Sequence, residues 1–182
     1  QSRFRFPSPL GELDRAAATG VITNLLRRRG IDPSAVTGFS DADWVSFACV
    51  LVKDEMLQQI GPMDEGFFLY YEDADYCREA TASNWKIFLE ARARVIHYRG
   101  GSAPVKSLSK AKKRLPRYWY ASRTRFFYKS YGYAGLLLAN LAWVFGRCIA
   151  SARLALGRPI PPSHEAEWRD IWCNFLSPMR VR

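Results

Sequence analysis

The sequence predicts an α/β domain followed by a basic, helical extension. Three observations carry that expectation. Residues 44 to 52, WVSFACVLV, form an almost continuous apolar run rich in Val and aromatics. Helix-like stretches follow it, and after them come two shorter strand-like runs. Behind residue 103 the composition turns basic and then apolar, which sets the division into residues 1–103 and 104–182.

The elements follow in chain order. Ala16 to Arg29 has the pattern of a helix with Gly30 as its stop, and Arg27 to Arg29 suit the negative end of its dipole. Trp44 to Val52 reads as a strand buried on both faces. Lys53 to Ile60 reads as a short helix ended by Gly61-Pro62. Met63 to Tyr71 is a loop carrying Asp64, Glu65 and four aromatics. A helix then runs from Asp73 to Ser83, with Asp75, Arg78 and Glu79 at facing positions. Trp85 to Leu89 and Arg94 to Tyr98 are strand-like runs around a polar turn. Lys106 to Arg117 is basic and expected to be mobile or ordered only by a ligand. Arg117 to Tyr131 mixes aromatic and basic residues, and Ser130 to Gly146 is seventeen residues without charge. On a helix Asn140, Arg147 and Ser151 share one narrow polar stripe. The run is short of the ~20 residues a spanning helix needs. A helix lying in a membrane interface and an amphipathic helix packed on its own domain are both open. Trp168, Trp172 and Phe175 suggest one more short amphipathic helix.

Composition sets bounds. The chain has 182 residues, enough for one domain with a sizeable core. Hydrophobic content of 48% with 14% aromatic excludes a disordered chain. Cys49, Cys77, Cys148 and Cys173 lie far apart, so neither a zinc site nor a disulfide framework is expected. They read as buried thiols of a reducing compartment. Gln1 to Pro9 lacks the apolar run of a signal peptide. Net charge is +10, yet Arg99 to His164 contains thirteen Lys or Arg and neither Asp nor Glu. That asymmetry points to an anionic partner: nucleic acid, anionic lipid or a phosphorylated substrate.

The densest chemistry lies in FFLYYEDADYCREA, residues 67 to 80. Glu72, Asp73 and Asp75 follow directly on aromatic residues. Helix capping accounts for them one at a time, with Asp73 as the N-cap. A general base held at a helix start, shielded from bulk water by aromatics, accounts for their concentration.

A wider series of motifs decides between the two. Trp44-Val45-Ser46, Ala48-Cys49 and Leu51-Val52-Lys53 come first. Ile60-Gly61, Met63-Asp64-Glu65, Phe67-Phe68, Tyr71-Glu72-Asp73, Asp75 and Cys77-Arg78 follow. Trp85-Lys86-Ile87, Ala93, Val95, His97-Tyr98 and Gly101-Ser102 complete it. In order and spacing this series resembles the second half of the catalytic domain of family 2 glycosyltransferases, above all the bacterial rhamnosyltransferase-like branch. It covers residues 41 to 130, with weaker similarity from Arg3-Phe4 to Pro7.

The resemblance implies part of a GT-A fold and inverting transfer of a sugar from a nucleotide-sugar donor. Glu72-Asp73 matches the family's acidic motif, whose Asp deprotonates the acceptor hydroxyl. His97 falls where the family has a His near the metal and diphosphate. Trp44, Asp64 and Glu65 fall on the acceptor side, with Asp75 in support. Arg123 matches a recurrent Arg placed to contact a diphosphate. A divalent cation, Mg or Mn, is implied for the intact enzyme. Its main Asp-x-Asp ligands and the nucleotide-binding units are not in this sequence, so the chain reads as a truncated piece of a longer enzyme or, second to that, as one half of a split enzyme, inactive alone. Asp41-Ala42-Asp43 and Asp73-Ala74-Asp75 are decoys for that motif. Phe47 and Asn84 stand where the family usually has Gly.

The basic half suits a lipid-linked acceptor at the cytoplasmic face of the inner membrane, with the protein bound peripherally. Lys106, Lys110, Lys112, Lys113, Arg114 and Arg117 would meet lipid phosphates. A rival is nucleic-acid binding, with Tyr118, Trp119, Tyr120, Phe126, Phe127 and Tyr128 stacking on bases. A third reading is a non-catalytic module that docks a biosynthetic complex to membrane.

Overall fold

The computed structural model describes residues 3–28, 43–88, 90, 92–96 and 104–180. Among them, regular structure is mostly helical. The elements are β1 (Arg3–Phe4), α1 (Pro9–Ala17), α2 (Gly20–Arg28), β2 (Trp44–Val45), α3 (Asp54–Ile60), α4 (Glu72–Ala82), α5 (Val105–Lys110), α6 (Arg117–Ala155) and α7 (Glu167–Asp170). Strands β1 and β2 pair antiparallel, Arg3 opposite Val45 and Phe4 opposite Trp44.

Helix α6 organises everything else. Gly132, at φ 67°, breaks its helical path and gives it two arms. Along the second arm Leu136, Ala139, Trp143, Gly146 and Ala150 are buried at helical spacing. Helix α1 packs against this stripe so closely that a Cβ on Gly146 would lie 2.7 Å from the Ala16 Cβ and from the Leu13 carbonyl. Ser8 caps α1, its Oγ accepting from the Gly11 N–H at 3.1 Å, and Pro9 stands at the first helical position. At the other end Arg153 donates to the carbonyls of Ala17 (3.3 Å) and Ala18 (2.7 Å), satisfying acceptors that a helix end leaves open. The core has two parts. Ala16, Tyr120, Trp143 and Ile171 fill one, and Phe67, Ala74, Phe126, Phe127 and Leu136 fill the other.

The expected α/β character is where structure and sequence part. The strand expected over residues 44–52 contracts to Trp44–Val45, and Leu51 is 96% exposed rather than buried on both faces. The described residues of the runs 85–89 and 94–98 form no strand, and Phe88 and Ile96 are exposed. A strand exists only through the ladder it joins. The ladder seen for β2 among the described residues is that with β1, two residues long.

Other expectations shift as well. The single helix expected from Ala16 to Arg29 is two, divided where Ala18 adopts a left-handed conformation (φ 46°). The basic segment expected to be mobile holds α5, anchored by buried Val105. It is tied further by Lys113 to Glu165 (2.8 Å) and Arg114 to Asp170 (2.7 Å). All four cysteines are free thiols, but Cys77 alone of them is buried, whereas Cys49 and Cys148 are exposed.

Candidate active site

Two strained residues open α4. Tyr70 and Tyr71 have φ of 70° and 71°, the left-handed region that non-glycine residues rarely occupy. The N-cap is Tyr71, not Asp73, and it offers no side-chain cap. Glu72, Asp73 and Asp75 therefore all fall within the first helical turn, at the positive end of the dipole. Tyr71 packs edge-on against Trp119, ring centres 5.5 Å apart, and at the same separation against Phe126. Burial and nearby Glu12 push its phenol up to about 12, so it remains protonated.

Asp73 is half-buried. Its Oδ1 accepts from the Ala74 N–H at 2.9 Å, and the Phe47 N–H also reaches its carboxylate. Burial raises its pKa, and these backbone donors only partly oppose the rise. Glu72 is raised by burial as well, with the adjacent Asp73 adding to it, and its buried Oε2 has no hydrogen-bond partner. Two adjacent carboxyls held above their ordinary range beside an aromatic wall is an arrangement that can accept a proton from a hydroxyl. Trp44 lies on β2, which packs against α4, but its ring stacks on Phe4 at 4.5 Å and its Nε1 donates to the Arg5 carbonyl at 2.9 Å.

The remaining expected site residues lie in other networks. Asp64 accepts from Arg125 Nη2 (2.7 Å) and Nε (3.0 Å), from Lys129 (2.8 Å) and from the Gly66 N–H (2.9 Å). Burial alone would raise its pKa, but these donors together drive it well below the carboxylate range. Asp75 is 2% exposed and accepts from Arg78 (3.2 Å) and from Lys129. Lys129 also pairs with Glu79 at 3.0 Å. Glu65 is exposed. Arg123, buried to 2%, donates to Glu12 (3.0 Å) and to Asn140 Oδ1 (2.7 Å), with its guanidinium 4.8 Å over the Phe127 ring. His97 lies outside the described residues, and those residues contain no cluster of three metal-ligating side chains.

The structure thus gathers Glu72 and Asp73 and separates them from Asp64 and Asp75, which share Lys129, and from Arg123, which belongs with Glu12. Sequence reasoning missed Lys129, Arg125 and Glu12. Glu12 had one usable sign, Arg15 three residues on, and the two do pair at 2.8 Å. Nothing local marks its bond to Arg123, 111 residues away.

Comparison with known proteins agrees on the kind of chemistry. Over 80 residues, 44% of this chain and 25% of the relative, it is 29% identical to the N-acetylglucosaminyl-diphospho-decaprenol L-rhamnosyltransferase of Mycobacterium tuberculosis. Over 81 residues, 44% of the chain and 24% of the relative, it is 28% identical to the low-salt glycan biosynthesis hexosyltransferase Agl10 of Haloferax volcanii. The matched part spans about a quarter of the length of these curated relatives. No protein-family profile matches the chain, and neither does any solved structure. The relationship is to glycosyltransferases, a rhamnosyltransferase and a hexosyltransferase of glycan biosynthesis.

Proposed function

We propose that this chain carries the base-bearing, acceptor-side part of an inverting family 2 glycosyltransferase of GT-A type. Its substrates would be a nucleotide-sugar donor and a glycan or lipid-linked acceptor. The observation that carries this reading is the pair Glu72-Asp73 at the start of α4, half-buried, raised in pKa and preceded by the strained Tyr70-Tyr71.

In that reaction the acceptor oxygen bonds to the anomeric carbon as the bond from that carbon to the diphosphate breaks. The hydroxyl proton passes to Asp73, and the nucleotide diphosphate leaves with the electron pair. Backbone N–H groups of Ala74 and Phe47 hold the Asp73 carboxylate in place. Burial favours proton uptake by Asp73, and the Asp73 carboxylate in turn raises the neighbouring Glu72. The described residues do not fit a divalent cation, because Asp43 is committed to Arg5 (3.1 Å) and Asp75 to Lys129 and Arg78.

We further propose peripheral binding at the cytoplasmic face of the inner membrane. Helix α6 is long and apolar enough, by length and composition, to cross a membrane. Its polar Asn140 is buried and Arg147 reaches toward the Ala16 carbonyl, while Leu138, Leu141 and Phe145 face outward. Apolar residues thus lie on the outward face as well as the inward one, which supports a helix lying in the interface. Against the nucleic-acid reading, Arg123, Arg125 and Lys129 are engaged with carboxylates and three of its six aromatics, Tyr120, Phe126 and Phe127, are buried.

The test is Asp73→Asn in the complete enzyme. Transfer should fall by a factor of at least ~100, with membrane binding unchanged. Retained turnover would remove Asp73 as the base.

A further inference from the structure

The start of α6 and the residues in and just after α7 enclose a cleft of about 250 Å³. Three arginines line it, Arg114, Arg117 and Arg169, together with Trp172 and, as the carboxylate among its described lining residues, Asp170. Helix α6 begins here without a side-chain cap and with no acidic residue in its first turn, so the positive end of its dipole is not offset.

The charges around this cleft are not matched. Arg114 takes both oxygens of Asp170, with Nε at 2.7 Å and Nη2 at 2.9 Å. Arg169 stands 3.6 Å from the same carboxylate, beyond hydrogen-bond distance, and its guanidinium donates to nothing else among the described residues. Arg117 donates to the Cys173 sulfur at 3.4 Å and to Asn174 Oδ1 at 2.8 Å, and neither partner is a carboxylate. The acidic neighbours in sequence are engaged elsewhere. Glu165 accepts from Lys113 (2.8 Å) and from the Arg114 N–H (3.4 Å), and Glu167 accepts from Arg15 (2.7 Å). Two guanidiniums, those of Arg117 and Arg169, therefore face the cleft without a counter-charge of their own.

A group that suits them carries two negative charges and several acceptor oxygens. A phosphomonoester has about −1.5 to −2 charges at neutral pH and three such oxygens, and arginine forks fit it. The cleft is smaller than the roughly 300–1,000 Å³ of a typical small-molecule site, which suits a terminal phosphate rather than a whole nucleotide. We propose that this cleft binds a phosphomonoester, either free or at the head of a lipid. Trp168 (68% exposed) and Leu176 (86% exposed) flank Trp172 in sequence and give the lipid form an apolar surface to rest on. The lysines of α5 do not line the cleft, so this is a discrete site and not the diffuse attraction of the basic segment. Glu72 and Asp73 do not line it either, so it stands or falls separately from the assignment of the base.

The test is phosphorus NMR and calorimetry on the full chain with inorganic phosphate. Phosphate should bind saturably at one site per chain, in the millimolar range or tighter. Arg169→Gln removes a side chain that makes no hydrogen bond, so Tm should hold while affinity falls about tenfold. Arg117→Gln should weaken binding about as much. Arg158→Gln makes the same change of charge at an exposed position beyond α6 and should leave affinity unchanged. Flotation identifies the source, using phosphatidylcholine vesicles with phosphatidate or with phosphatidylglycerol at matched charge. A preference for phosphatidate that Arg169→Gln removes assigns the site to a lipid headgroup, and phosphate binding without that preference assigns it to a soluble phosphomonoester. Absence of saturable binding by millimolar phosphate overturns the proposal. So does an affinity that both cleft variants leave unchanged, or one that Arg158→Gln lowers as much as Arg169→Gln does.

Discussion

Arg125 grips Asp64 with two prongs, Nη2 at 2.7 Å and Nε at 3.0 Å, and it can do so only because residue 66 is glycine. A Cβ at Gly66 would lie 2.0 Å from the Arg125 Cζ. The guanidinium cannot easily give way, since it also donates to the Met179 carbonyl at 2.8 Å and lies 5.6 Å over the Phe67 ring. Gly66→Ala is therefore expected to cost about 2 kcal/mol, and Asp64→Asn about as much, by loss of a largely buried charged pair. The double variant should cost little more than either alone, because both remove the same clasp. Urea unfolding of the three variants measures this. Glu65→Gln, on an exposed neighbour, should stay within about 0.5 kcal/mol of the parent.

Acid should unfold the protein partly through Glu12. Burial alone would raise this carboxyl, but Arg123 and Arg15 outweigh burial and lower its pKa from 4.5 to about 2. The folded pKa is below the unfolded one, so folding is favoured by the ionised form. Its contribution is complete above pH 4.5 and is lost as pH falls toward about 2. Glu12→Gln should lower Tm at neutral pH and flatten the decline of stability across that window. Thermal melts from pH 7 to 2, comparing the two proteins, check the slope.

How much of this was legible in sequence depends on how local each determinant is. Helices α3 and α4 were found because Gly61 and the apolar spacing act within a few residues. The carboxylates at the head of α4 were found for the same reason. The cap was missed because Tyr71 takes a left-handed conformation that its residue type disfavours, and its packing on Trp119 and Phe126 is what compensates. The strand at residues 44–52 was overread because its length depends on partners, and β1 supplies only two residues. The polarity of Asn140 and Arg147 was visible, but its direction was not. Asn140 turns inward to Arg123 and Arg147 toward the Ala16 carbonyl, while Ser151 of the same stripe is exposed.

Asp73 should show the signature of a working base in both activity and stability. Its folded pKa lies above the unfolded value, so its ionised form weakens the fold at neutral pH. Asp73→Asn is expected to hold or raise Tm at pH 7, the gain vanishing below pH 4, where the unfolded parent is protonated too. In the complete enzyme, the acid limb of kcat/KM should lie above the ordinary carboxylate range, as burial of Asp73 dictates. A variant that loses Tm at pH 7 would instead mark Asp73 as structural.

The two sides of α6 should respond oppositely to substitution. Leu136 is fully buried in the core part formed with Phe67, Ala74, Phe126 and Phe127, whereas Leu138, Leu141 and Phe145 face outward from the same helix arm. Removing a buried leucine leaves a cavity, so Leu136→Ala should destabilise by about 2–5 kcal/mol. Leu138→Ser with Phe145→Ser replaces apolar surface already in water and should leave stability within about 0.5 kcal/mol, or raise solubility. If the outward face rests on lipid, that double variant should float with vesicles of mixed neutral and anionic lipid at least tenfold less well, since each large apolar side chain contributes about 1.5–3 kcal/mol on full burial. The loss should persist at high salt, where attraction of the basic segment at Lys106 to Lys113 for anionic headgroups is screened. Flotation that the double variant leaves intact, and that salt alone abolishes, would assign membrane binding to the basic segment and leave the outward face of α6 for a protein partner.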